Sequence, residues 1–73
     1  VSEDRERRGV LCHWRAIFRL AEIVLLAQAH AEQLAVDWPE LAEHYLERAE
    51  ESLRRIARHR RAIEALMPVR VLH

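Results

Sequence analysis

The sequence predicts an all-α protein, an antiparallel hairpin of two helices that dimerises into a four-helix bundle. Three observations predict it. One Gly and two Pro interrupt 73 residues rich in Ala, Leu, Glu and Arg, a composition that favours helix over strand or loop. Two long stretches carry apolar residues spaced alternately by four and three, the heptad rhythm of a helix with one buried stripe. Between them, Val36-Asp37-Trp38-Pro39-Glu40-Leu41 combines a helix stop with a helix start.

The first helix is expected over about residues 10–35. Its main seam reads Val10, Trp14, Ile17, Ala21, Val24, Gln28, Ala31 and Ala35. Two starts are open: Ser2 could cap a helix that begins there, or residues 2–8 fray, because Gly9 inside a helix costs about 1 kcal/mol. Stripes flank the seam: Leu11, Phe18 and Leu25 on one side, Leu20, Ala27 and Leu34 on the other, with Ile23 and Leu26 beyond. A helix apolar over most of its circumference needs more than one neighbour, and a hairpin supplies one.

The turn is expected at residues 36–38. Asp37 is placed as N-cap, Glu40 completes a capping box, and Val36 with Leu41 forms a hydrophobic staple. Pro39 fits the first turn, where backbone N–H groups have no helical partner. The second helix is expected over about residues 38–67, stopped by Pro68, with a short tail at 68–73. Its seam reads Ala42, Leu46, Ala49, Leu53, Ile56, Ile63 and Met67, broken by Arg60. So short a connection makes the helices antiparallel neighbours.

Net charge is zero, but the signs are segregated: both ends of the chain are rich in Arg and the middle is rich in Glu. With the bend near Asp37, Arg15 and Arg19 fall across from Arg55, Arg58 and His59, and Glu32 falls across from Glu40 and Glu43. A second hairpin packed head to tail sets acidic ends against basic ends and covers the surplus apolar surface. Exposed ion pairs contribute about 0–1 kcal/mol each, so burial drives the association and charge selects its orientation. The expected interface is Leu11, Trp14, Phe18, Leu20, Ile23, Leu25, Leu26 and Leu34. Gln28 and Arg60 would fix register, and Arg60 is placed for a cation–π contact with Trp14. A different helical chain could fill the same role as a second copy.

The expected function is a small interaction, assembly or regulatory module that acts through self-association, without cofactor or catalysis. Gly9 is the sole glycine, so there is no phosphate-cradling loop, and Ser2 and Ser52 belong to no triad. The alternative is a dimer that binds DNA or RNA through a basic patch of Arg15, Arg19, Arg54, Arg55, Arg58 and Arg61. A third reading is a metal-binding bundle with His30, His44 and Glu47 as candidate ligands, though His44-x-x-Glu47 reverses the usual Glu-x-x-His order. Cys12 is read as a small, partly buried apolar residue. Trp14 is expected in the core and Trp38 over the hairpin end. A lone cysteine fits a reducing, cytoplasmic setting. Arg19, Glu22, His30 and Glu32 interrupt the most apolar stretch, so no membrane span is expected.

Overall fold

Strong helix formers dominate both halves of the chain, and each half forms one helix. A computed structural model describes residues 2–67; the expected tail at 68–73 lies outside the described residues. Helix α1 spans Ser2–Leu34 and helix α2 spans Pro39–Leu66. They pack side by side and antiparallel. Gly9 meets Leu66, His13 meets His59 and His30 meets Tyr45, the register expected from a bend at Asp37. The Cα atoms fill an envelope of 54 × 26 × 13 Å, the shape of a plank with two broad faces.

Of the two starts open to α1, the structure has the earlier one: the helix is continuous from Ser2 through Gly9. A Cβ added to Gly9 would lie 3.1 Å from Leu66 Cδ1. The missing side chain lets Leu66 pack directly on α1.

The turn is built differently from the expectation. The N-cap of α2 is Trp38 (φ −136°, ψ 65°), with Pro39 in the first turn and no side-chain cap. Proline disfavours the helical region for the residue before it, so Trp38 is held outside the helix and the cap falls one residue beyond Asp37. Trp38 N–H donates to Leu34 C=O at 2.8 Å, and Ala42 N–H donates to Trp38 C=O at 2.9 Å. Val36 is 89% exposed and Leu41 is exposed as well, so the staple does not close. Glu40 stays in the first turn, where its charge suits the positive end of the helix dipole. Helix α2 ends where expected: Met67 is the C-cap, and its N–H donates to Ile63 C=O at 2.9 Å.

The core is one stripe per helix. On α1 it runs through Val10, His13, Ile17, Leu20, Val24, Ala27, Ala31 and Leu34, and on α2 through Ala42, Tyr45, Ala49, Ser52, Ile56, His59, Ile63 and Leu66. The expected seam contains every second one of these. At the alternate positions, the structure turns to the neighbour three residues on rather than four. Trp14, Gln28, Leu46, Leu53, Arg60 and Met67 are therefore exposed, whereas Leu20 is buried inside the hairpin instead of lying at an outer interface. The reason is steric. Ala27, Ala31, Ala42, Ala49 and Ser52 let two helices approach closely, whereas Trp14, Leu46 and Leu53 in the same seam would hold them apart. No large side chain among the described residues is fully buried.

Candidate interaction surfaces

The heptad positions on either side of the buried stripe define the two faces of the plank. One side takes Leu11, Trp14, Phe18 and Leu25 from α1 together with Leu46 and Leu53 from α2. All six are exposed: Phe18 by 63%, Leu25 by 67%, and Leu46 and Leu53 by 49% each. Trp14 and Phe18 stack on one another, one helical turn apart, with centroids at 5.9 Å and planes at 29°. Gln28, Leu46, Ala49 and Leu53 line one shallow depression on this face, with Glu43 and Glu50 at its rim. Leu11, Val10 and Met67 line another at the open end, beside Arg7.

This apolar patch runs from Leu11 near the open end to Leu46 near the turn, so its centre is at mid-length, around Phe18, Ala21 and Leu53. The charges around it are unequal. The turn half carries Glu32, Glu43, Glu47 and Glu50 and no cation, whereas the open half carries Arg7 and Arg60 against Asp4, Glu6 and Glu64.

The opposite face is cationic. Helix α1 places Arg5 and Arg19 there, and α2 places Arg48, Arg55 and Arg58, all exposed. Arg15 lies at the outer edge of α1 and joins Cys12, Arg19, Ile23, Arg55 and His59 around one groove between the helices. Glu51 on this face is paired with Arg54 at 3.0 Å, and the exposed Glu22 shares the outer edge of α1 with Arg15. Ile23 and Leu26 lie on this side too, away from the other members of the expected interface, and Leu34 is half-buried at the end of the core. The expected interface of eight therefore divides: four residues share the apolar face, two lie on the arginine face, and two belong to the hairpin interior. Of the expected basic patch, Arg15, Arg19, Arg55 and Arg58 gather on or beside one face. Arg54 is taken up by its ion pair, and Arg61 projects from the outer edge of α2.

Two features were not anticipated. At the open end His13 and His59 meet across the seam with Nδ1–Nδ1 2.8 Å and centroids 5.1 Å apart. One ring donates and the other accepts, so at least one of the two is neutral in this geometry. Arg48 joins the arginine face although it lies in the acidic middle of the chain. A seam moved to the three-residue neighbour would have revealed both, because His13 and His59 then fall in line with Leu20 and Ser52.

His30 and His44 both pack on Tyr45, with centroids at 5.2 and 5.9 Å. Glu47 lines the depression beside Leu46 and Glu50. The three candidate ligands are not brought together, and among the described residues no group of three or more His, Cys, Asp or Glu side chains is placed to hold a metal ion. Cys12 is exposed rather than partly buried. Trp14 lies on the apolar face rather than in the core, and no contact with Arg60 forms among the described residues. Trp38 is 64% exposed beside Pro39 and His44 at the turn. None of the described helices is long and apolar enough to cross a membrane. Comparison with protein-family models, with curated proteins and with solved structures finds no match to this chain.

Proposed function

We propose that the protein is a small assembly module that acts by pairing with a second copy of itself through the apolar face. The observation that carries this reading is the uncovered patch of Leu11, Trp14, Phe18, Leu25, Leu46 and Leu53. The chain exposes 6224 Å², against about 4,700 Å² for a compact protein of its 8.7 kDa mass. The excess, about 1,500 Å² per chain, is more than the roughly 800 Å² that each partner contributes to a standard interface.

A second copy suits this face better than an unrelated helix. The patch is centred at mid-length, so a two-fold axis through that centre superposes it on itself, as a closed dimer requires. The same axis runs the copies head to tail and keeps Glu32, Glu43 and Glu50 of one copy away from those of the other. A head-to-head pair would press the two acidic clusters together.

Size exclusion with light scattering, in low and high salt, tests the reading. The expected result is a dimer mass in both conditions. Phe18→Glu with Leu25→Glu should give a monomer that keeps its helical circular dichroism, since neither side chain belongs to the hairpin core. A wild-type monomer with the patch still exposed would reject self-pairing.

A further inference from the structure

The arginine face has no part in that pairing, because it lies on the other side of the plank. We propose that it is a docking surface for the phosphate backbone of a nucleic-acid duplex. The fold creates this surface. In the sequence Arg5 and Arg19 are separated from Arg55 and Arg58 by an acidic middle segment. The antiparallel register brings Arg19 level with Arg55, with Arg58 one turn nearer the open end and Arg5 farther out on α1, while Glu32, Glu43 and Glu50 fall on the opposite face. Arg48 adds a further cation nearer the turn. The outcome is a neutral chain with one face nearly free of carboxylate, since Glu51 is already engaged by Arg54.

The layout matches a duplex backbone. The cations are carried by two side-by-side helices whose axes are about 8–10 Å apart. From Arg5 to the level of Arg48 they extend along the hairpin for about 30 Å at 1.5 Å per residue, close to one duplex turn of about 34 Å. Every one of them is Arg, whose planar fork grips phosphate oxygens in pairs. Between the arginines Tyr45 is half-buried and packed against His30 and His44, and the exposed Trp38 stands at the turn, beyond the cations. Contacts therefore go to the backbone and carry little sequence preference. An anionic membrane fits less well. Insertion needs a broad apolar surface next to the cations, and beside the arginines the exposed Ile23 and Leu26 form a small one, while the larger patch of Trp14, Phe18 and Leu25 is on the opposite side. The proposal holds whether or not the apolar face pairs with a second copy.

The test is fluorescence anisotropy with labelled 24-base-pair DNA and RNA duplexes of arbitrary sequence, titrated from 20 to 200 mM salt. Neutralisation of about four phosphates per chain gives a slope of log affinity against log salt near −3.6. Arg19→Glu with Arg55→Glu should weaken binding at least tenfold at low salt and flatten the slope. Arg61→Glu, on the outer edge of α2, should leave both within about twofold. Light scattering and circular dichroism of each variant separate loss of the docking surface from loss of the fold or of the dimer. No binding at 20 mM salt overturns the proposal, as does equal weakening by Arg61→Glu. Binding to phosphatidylserine-containing vesicles without binding to either duplex also overturns it and assigns the face to lipid.

Discussion

At the scale of single residues, local geometry decides outcomes that composition alone misjudges. Gly9 is the main example. Alanine there gains about 1 kcal/mol of helix propensity and meets only the mobile tip of Leu66, at 3.1 Å. Gly9→Ala is therefore expected to raise the thermal midpoint by several degrees, given about 4–8 °C per kcal/mol for a domain of this size. A lowered midpoint would mean that Leu66 has no room to yield. The His13–His59 pair occupies two seam positions that leucine would fill in a simpler hairpin. Its hydrogen bond contributes about 1 kcal/mol, less than the apolar burial of two half-covered leucines. His13→Leu with His59→Leu is expected to stabilise the protein, as read by urea denaturation; destabilisation would show that the polar pair organises the open end. Asp37 makes no capping bond, so Asp37→Ala should change stability by less than about 0.5 kcal/mol, where loss of a true cap costs about 1 kcal/mol.

At the scale of the helices, the controlling feature is the small-residue seam. Ala49 is buried between the helices against Val24 and Ala27, so Ala49→Leu should cost about 1–3 kcal/mol through overpacking, measured as a lower denaturation midpoint. Leu46→Ala, one helical turn away but outside the seam, should leave the hairpin's own packing intact. This contrast also explains what the sequence revealed. The existence of two helices, their direction and the end of α2 at Met67 were legible, because propensity and proline act locally. Half of each seam was legible as well: Ile17, Val24 and Ala31, then Ala42, Ala49, Ile56 and Ile63. The other half was hidden, because ranking by hydrophobicity prefers Trp14, Leu46 and Leu53 to His13, Tyr45 and Ser52. Two helices in contact select small and adaptable side chains first, and the large apolar residues are left for a second interface. Their displacement from the hairpin core is what defines the apolar face. The same rotation hid the arginine face, since the faces on either side of a seam are known only once the seam itself is placed.

At the scale of the whole molecule, a plank one helix thick has little interior, and its stability depends on what covers it. If the cover is another copy, the thermal midpoint should rise with protein concentration, as mass action requires; a midpoint constant over a hundredfold range would reject that. Trp14 supplies an optical readout. It lies at the apolar patch, whereas Trp38 is at the turn, so dilution below the dimer constant should red-shift the emission and Trp14→Phe should abolish the shift. The two-sided build has a further consequence. Joined through their apolar faces, two hairpins turn their arginine faces outward in opposite directions. A straight duplex held on one of them is out of reach of the other, so the second face gains no local-concentration advantage from the first. Such a dimer would serve as a rivet between two duplexes rather than a sheath around one, and turbidity would peak at an intermediate protein-to-duplex ratio and clear again in excess protein.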